Sequence, residues 1–179
     1  MPRLLIIAFA VGFFLGSSAT GEAQKARHRE QTGFSAEEAG VETPIAIPED
    51  VLDQLKKDEM VTNVLEDSHL AADNIPASWL SASSIHLTLT HKTPNLIVEG
   101  NPPLSGGNTA TFWVFRATDN SHTLLMNTAA HNLIVKNSAS LGYRNIELIS
   151  MSASIVSTVI CRFDGTKYKE YRSKSEPIR

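Results

Sequence analysis

Cysteine is nearly missing from this chain, which has one among its 179 residues. An exported protein that is built on a disulfide framework shows several cysteines that can pair, so that class of protein is excluded. The single thiol belongs to Cys161, which has apolar neighbours in "STVICRFDG". This setting predicts a buried cysteine in a strand and not a reactive one.

A strong net charge is also lacking. The chain has 16 Lys and Arg against 19 Asp and Glu, which gives a formal net charge of -3. No cluster of Lys and Arg alternates with aromatic residues, so the electrostatic footprint of a phosphate-backbone binder is missing. The sequence therefore argues against nucleic acid as a partner.

The motifs of several catalytic and metal-binding classes do not occur. The chain has no G-x-S-x-G nucleophile elbow, no H-E-x-x-H pair and no paired Cys/His spacing. The sequence thus predicts no catalytic residue, no metal ligand and no cofactor. The alternative is a small secreted hydrolase with a site assembled from loops, for which Ser105, His91 and His131 are the candidates.

The one long apolar run lies at the N-terminus. Arg3 precedes "LLIIAFAVGFFLG", and the small-residue stretch "SSATGEAQ" follows it. These are the three parts of a secretory signal peptide; the alternative is an uncleaved membrane anchor, for which the run is short, because a membrane-spanning helix needs roughly 20 apolar residues. We expect a signal peptide over residues 1–23, with cleavage after Ala19 or Ala23. The sequence predicts an exported protein, periplasmic or extracellular, without a membrane span after cleavage.

The remaining chain, about 155 residues, is the size of one ordinary domain. Residues 24–46 are polar and of mixed charge with no sustained period, which predicts a flexible linker. We expect a single β-rich domain over residues 47–172 and a disordered tail over residues 173–179.

The domain opens with a helical segment in two parts. Two apolar stripes on this segment point in different directions: Val51, Leu52 and Leu55 form the first, and Val61, Val64 and Leu65 form the second. Two short helices, or one helix with a bend near Lys57-Asp58, would let both stripes face a common core.

Strand patterns follow the helices. "SIHLTLTH" alternates apolar and polar residues, "NLIVEG" is a short apolar run typical of a strand buried on both faces, and "SASLG" is typical of a loop. Hairpin turns are predicted around Asp119-Asn120-Ser121 and at Asp164-Gly165. The fold class predicted is α+β, mostly β: short N-terminal helices followed by an antiparallel sheet of about six or more strands, as a meander, a sandwich or an open-barrel-like arrangement.

A family resemblance spans about residues 47–169. The order "IPASW", "ASSIHL", "PNLIVEG", "LSGGNTATFWVFR", "LLMNTAAHNLIVKN", "GYRNIEL" and "CRFDGTKY" resembles a family of uncharacterised exported bacterial β-rich proteins from acidobacteria-like genomes. Members of that family often carry an acidic calcium-binding loop, Asp-Leu-Asn-x-Asp-Gly-x-Pro, before the run matched by "NLIVEG".

This chain departs from the loop that the resemblance implies. Leu87, Leu89 and His91 stand where oxygen-bearing side chains would be, and Lys92 stands where the Gly would be. Calcium requires six or more hard oxygen ligands, so we expect no calcium site here. The resemblance supports the fold and the export of the protein more than any activity.

The functional expectation is a non-enzymatic exported domain that binds a protein, a glycan or an envelope component. Its binding candidates are residues in the long polar connection "NPPLSGGN" and residues of types that are enriched at binding hot spots, namely Ser105, Asn108, Trp113, Arg116, Tyr143 and Arg144. Trp113 lies in "FWVFR", where an aromatic residue is also typical of a core.

Overall fold

The computed structural model describes residues 30–37, 40–71, 73–90 and 93–178. Two helices, α1 (Glu49–Leu55) and α2 (Glu59–Asp67), precede most of the strands. The strands are β1 (Gly33–Ser35), β2 (Leu80–Ile85), β3 (Asn95–Gly100), β4 (Ser105–Gly106), β5 (Thr109–Ala117), β6 (His122–Ala130), β7 (Asn132–Ser140), β8 (Tyr143–Met151), β9 (Ile155–Phe163) and β10 (Tyr168–Pro177). The predicted α+β, mostly β class is confirmed.

The strands form two antiparallel sheets of five strands each, which do not close into a barrel. The outer sheet has the order β1-β7-β8-β9-β10, and the central sheet contains β2 to β6. In the central sheet, β5 pairs with β6 on one side and with β3 and β4 on the other. Ala110 lies between Ser105 and Ala130, and Phe112 lies between Glu99 and Thr128. This is the sandwich among the predicted arrangements, with a helical layer added.

The central sheet is buried on both faces. Phe112 and Val114 of β5 lie in the core between the two sheets, whereas Trp113 and Phe115 lie in a second core beneath the helices. All four side chains are fully buried. Burial of each contributes about 1.5–3 kcal/mol to folding, so β5 stabilises both cores at once. The continuous burial predicted for "NLIVEG" is confirmed for all six residues of β3.

The predicted division of the helical segment is confirmed, and Asp58 accounts for it. Its carboxylate accepts hydrogen bonds from the backbone N–H groups of Met60 and Val61, so Asp58 is the N-cap of α2. Its other oxygen accepts a hydrogen bond of 3.0 Å from Trp113 Nε1. The cap thus begins a new helix and fixes it to the central sheet.

Both predicted hairpins are confirmed: β5 pairs with β6, and β9 pairs with β10. The loop predicted for "SASLG" is wrong, because β7 continues through Ser140. The turn is confined to Leu141 and Gly142, with φ of 49° and 79°. Two successive residues with positive φ make a tight hairpin turn, so the strand needs no longer loop.

The strand predicted over "SIHLTLTH" is displaced. The strand there is β2, which ends at Ile85, and beyond it only Thr88 forms an isolated bridge, with Tyr143 of the outer sheet. Leu87 is fully buried between the sheets, but Leu89 is 65% exposed. The chain leaves the central sheet after Ile85 and crosses towards the outer sheet, which ends the regular alternation.

Both predicted ends of the domain need correction. Within the expected flexible linker, β1 pairs with β7 and the Phe34 side chain is buried. Three residues are too few to show an alternating pattern, so the sequence did not indicate this strand. Residues 173–177 of the expected disordered tail belong to β10, which pairs with β9 as far as Pro177. This edge strand is held by backbone hydrogen bonds. Such bonds do not require apolar side chains, so the sequence shows no hydrophobic pattern there.

The predicted signal peptide lies outside the described residues, as do residues 24–29 of the predicted linker. In the part of the chain that is described, neither helix has the length and apolar character needed to cross a bilayer.

Candidate functional site

A cleft opens at one end of the space between the two sheets. Its volume is about 340 Å³, and its lining comes from the ends of four segments: Thr88, Thr93, Asn95, Arg116, Ala117, Thr118, Asp119 and Tyr143. We call it the Asn95 cleft. Small-molecule sites commonly have volumes of about 300–1,000 Å³, so the Asn95 cleft is at the small end of that range.

The antiparallel pairing of β3 with β5 brings two of these residues together. Leu96 is the register partner of Phe115. Continuing this register by one residue places Asn95, at the start of β3, opposite Arg116, near the end of β5. Residues opposite each other in an antiparallel pair project from the same face of the sheet. The β-bridge between Thr88 and Tyr143 brings the start of β8, in the outer sheet, to the same end of the sandwich.

Asn95 is buried but incompletely hydrogen-bonded. Its side chain is fixed by a 3.3 Å hydrogen bond in which Oδ1 accepts from the backbone N–H of Ala117. Asn95 is only 4% exposed, and its Nδ2 has no hydrogen-bond partner. A buried polar group without a partner costs about 1–3 kcal/mol. Asn95 therefore brings an unsatisfied donor to the wall of the cleft, where a ligand that draws this side chain towards it could supply the missing acceptor.

Arg116 presents a second donor of the same kind. Its Nε is buried and without a hydrogen-bond partner. Among the described residues, no carboxylate lies within ion-pair distance of its guanidinium group. Asp119 lines the same cleft but does not neutralise Arg116.

Tyr143 forms the aromatic wall of the cleft. Its ring stacks on the Phe163 ring, with centroids 4.1 Å apart. Thr118, by contrast, is committed to its own turn, since its hydroxyl donates to the Ser121 carbonyl at 2.8 Å. The hydroxyl, amide and guanidinium groups of the lining can hold a polar ligand by hydrogen bonds.

Arg144 follows Tyr143 in the chain but is not available to a partner. Its guanidinium donates five hydrogen bonds, three of them to backbone carbonyls. One goes to Glu30 at 2.9 Å, which forms an ion pair. Burial opposes ionisation of Glu30, but hydrogen bonds from His86 and the charge of Arg144 outweigh it and lower the pKa of that carboxyl. Arg144 thus has a structural role.

Trp113 is not a surface residue either. It is fully buried beneath the helices, and its only polar atom, Nε1, donates to Asp58. Both faces of β5 are covered, so the side chains of residues 110–115 are exposed to solvent on neither face of this strand. The core interpretation of "FWVFR" is the correct one for this residue.

Ser105 and Asn108 lie away from the Asn95 cleft. Ser105 belongs to β4 and pairs with Ala110, while the carbonyl of Asn108 accepts a hydrogen bond of 2.9 Å from His131 Nδ1. From Ala110 to Arg116, β5 advances about 20 Å at the usual rise per residue. The six predicted binding residues therefore do not form one site, and only Arg116 and Tyr143 share the cleft.

Among the described residues, no hydrogen bond joins the hydrolase candidates Ser105 and His131. Ser105 pairs with Ala110, and Ala110 pairs with Ala130 beside His131. This separates Ser105 from Ala130 by two strand spacings, about 10 Å. His91 lies outside the described residues. Within residues 30–37, 40–71, 73–90 and 93–178, no three His, Cys, Asp or Glu side chains are grouped as a metal site requires.

Asn95 lines the cleft but was not among the binding residues that the sequence predicted. The signal was present: an amide side chain opens the run "NLIVEG", in which every residue is buried. A polar residue at the first position of such a strand needs partners for its side chain. Only the structure shows that Nδ2 has none.

Glu99 is a second buried polar residue on β3, outside the cleft. It is 4% exposed, its Oε2 has no partner, and burial raises the pKa of its carboxyl to about 7. A β-carbon at Gly40 would collide with this carboxyl group, so any other residue there would force the Glu99 side chain to move.

Comparison of this chain with known proteins found no relative. Neither the protein-family models, nor the curated proteins, nor the solved structures include one that matches the chain. The assignment of function therefore depends on the Asn95 cleft.

Proposed function

We propose that this protein is an exported, non-enzymatic binding domain that holds a polar group of an envelope or extracellular glycan or protein in the Asn95 cleft. One observation carries the proposal: two buried donors, Asn95 Nδ2 and Arg116 Nε, lack partners at the same cleft. An acceptor on a ligand would supply the hydrogen bonds that the folded protein lacks.

Binding accounts for the lining of the cleft better than catalysis does. Hydroxyl, amide and guanidinium groups recognise a ligand by hydrogen bonds. Covalent or acid–base catalysis would need a nucleophile beside a base, or an acid and a base poised over one substrate. The location in the envelope or outside the cell follows from the apolar N-terminal run and its small-residue cleavage zone.

The two donors can be observed directly in an NMR experiment. In the ¹⁵N-labelled mature protein, the Asn95 side-chain amide and the Arg116 Nε–H give separate signals. We expect at least one member of a panel of neutral sugars, acidic sugars and short peptides to shift both signals. Arg116→Gln removes its own signal and should weaken the response of the Asn95 signal.

The matched control is Arg162→Gln. Arg162 also has a buried Nε without a partner, but it lies on the outer sheet and does not line the Asn95 cleft. This variant should retain the response. If every member of the panel leaves both signals unchanged, the proposed function is wrong.

A further inference from the structure

We propose that the ligand of the Asn95 cleft is an acidic sugar, a uronate unit of a glycan, whose carboxylate is held by Asn95 and Arg116. This inference rests on the proposed function and specifies the chemical class of its ligand.

Arg116 is the cationic group of the cleft that can pair with an anion, although Asp119 brings a carboxylate to the same lining. Arg144 is paired with Glu30, whereas Arg116 has no ion-pair partner among the described residues. A buried or half-buried guanidinium favours a carboxylate partner, and hydrogen bonds between charged groups are about twice as strong as neutral ones.

The geometry suits one carboxylate group. The register of β3 and β5 places Asn95 opposite Arg116. The hydrogen bond from Ala117 N to Asn95 Oδ1 fixes the amide so that the unpartnered atom is the donor, Nδ2. A carboxylate has two oxygens and about four acceptor positions, so it can accept from both side chains together.

The remaining lining favours a sugar over an acidic peptide. Asp119 can accept hydrogen bonds from ring hydroxyls, and Thr93 can exchange them. Tyr143, supported by Phe163, offers an apolar ring with a polar tip to a sugar that is itself amphipathic. An acidic side chain of a peptide brings no hydroxyl donor for Asp119, whereas a uronate unit brings ring hydroxyls beside its carboxylate.

The test compares matched oligosaccharides. Oligogalacturonate and the corresponding neutral galactose oligomer are titrated into the ¹⁵N-labelled mature protein, with the Asn95 and Arg116 side-chain signals as the readout. We expect the acidic oligomer to bind at least about tenfold more tightly than the neutral one, and increasing salt to weaken only the acidic complex.

Variants assign the effect to the two side chains. Arg116→Gln keeps hydrogen-bonding capacity but removes the charge, so it should reduce the preference for the acidic oligomer by about tenfold or more. Asn95→Asp keeps the acceptor for Ala117 and introduces a repelling carboxylate. Because it also removes the Nδ2 donor, it should weaken binding of both oligomers, and that of the acidic oligomer more. Arg162→Gln, on the outer sheet, should change neither affinity.

The outcomes separate this inference from the proposed function. Equal affinities for the acidic and neutral oligomers, with both signals shifting, would overturn the acidic-sugar inference and leave the proposed function in place. Binding of an aspartate-rich peptide without binding of oligogalacturonate would do the same. A panel in which no member shifts either signal overturns both. If the backbone spectrum shows that a variant is unfolded, the salt dependence of binding to the unmodified protein is used instead. It also distinguishes an acidic from a neutral ligand.

Discussion

Arg144 is held in the interior by acceptors from several segments of the chain. It donates to the carbonyls of Val135, Lys136 and His86 and to the side chains of Asn137 and Glu30. Its own carbonyl accepts a hydrogen bond of 2.7 Å from the Tyr168 hydroxyl. A guanidinium group can serve these acceptors at once because its donors are fixed in one plane.

We therefore expect Arg144→Lys to destabilise the protein by about 2–4 kcal/mol, because one ammonium group cannot reach the acceptors that the guanidinium satisfies. Urea denaturation measures the loss. Glu30→Gln is the comparison: its one amide oxygen still accepts from Arg144 but no longer also from the His86 backbone N–H, so the expected loss is about 1–2 kcal/mol. Equal losses for the two variants would show that the ion pair alone, and not the set of hydrogen bonds, holds this region.

Glu99 should make stability depend on pH. Burial raises the pKa of its carboxyl to about 7, above its ordinary value of 4.5. The folded protein therefore binds this proton more tightly than the unfolded chain does. The contribution to the free energy of unfolding is complete below about pH 4.5 and is lost as the pH rises to about 7. Allowing for solvent screening, the loss is roughly 2 kcal/mol.

Glu99→Gln removes this titration, so the variant should be more stable than the unmodified protein at pH 8 and should lose less stability between pH 5 and pH 8. Thermal unfolding across that range measures the difference. Glu66→Gln, on the exposed side of α2, makes the same change of charge without altering a buried group. A Glu99→Gln variant with an unchanged pH profile would contradict the raised pKa.

At the scale of the elements, the helices depend on two aspartates for their position. Asp50 of α1 accepts a hydrogen bond of 2.6 Å from the backbone N–H of His122, at the start of β6. Asp58 caps α2 and also accepts from Trp113 Nε1 and from Asn127 Nδ2, the latter at 2.5 Å. Each helix is short, so tertiary contacts of this kind, and not intrinsic propensity, keep it folded.

Asp58→Ala should cost about 2–4 kcal/mol, because it removes a helix cap worth about 1 kcal/mol and leaves the buried Trp113 N–H without an acceptor. Trp fluorescence during urea denaturation reports both the stability and the environment of the indole. Asp53→Ala is the matched control. Its ion pair with Lys56 is exposed, so a loss below about 0.5 kcal/mol is expected. Similar losses for the two variants would contradict the docking role of Asp58.

The elements with strong local signals could be predicted from the sequence. The change of apolar stripe near Lys57-Asp58 indicated two short helices or one bent helix, and turn residues indicated the β5-β6 and β9-β10 hairpins. The displaced strand near "SIHLTLTH" shows the limit of such signals. Its alternation was genuine for Ile85 and Leu87, which are both buried, but the crossing to the outer sheet is a tertiary feature.

The candidate site was harder to predict than the fold. Arg116 and Tyr143 were chosen by residue type, and the structure brings both to the Asn95 cleft. Trp113 and Arg144 were chosen on the same grounds, but their polar atoms are used inside the protein. Residue type alone does not distinguish a side chain that serves a ligand from one that serves the fold. That distinction requires the hydrogen-bond partners.

At the scale of the whole molecule, the segment before the helices holds the layers together. Its backbone bonds to the outer sheet through Thr32 and Ala36, whose partners are Val135 and His131, and to β2 through Ile45. Phe34 enters the core between the sheets. Glu30 completes the partners of Arg144. The domain that the sequence placed at residue 47 therefore begins at least as early as Glu30.

Removing this segment should weaken the whole fold. A chain of residues 47–179 lacks the burial of Phe34, worth about 2–3 kcal/mol, and leaves Arg144 without its carboxylate partner. Compared with residues 24–179, we expect the midpoint of thermal unfolding to fall by about 10 °C or more. Differential scanning calorimetry measures the change.

Adding the missing segment back distinguishes loss of contacts from a general effect of truncation. A peptide of residues 24–46 should raise the unfolding midpoint of the 47–179 chain in a concentration-dependent way, because it binds the folded state and not the unfolded one. The same peptide with Phe34→Ala should raise it less, since the buried ring is missing from the core. Equal midpoints for the 24–179 and 47–179 chains would mean that the segment only covers the sandwich and that its two sheets are held together without it.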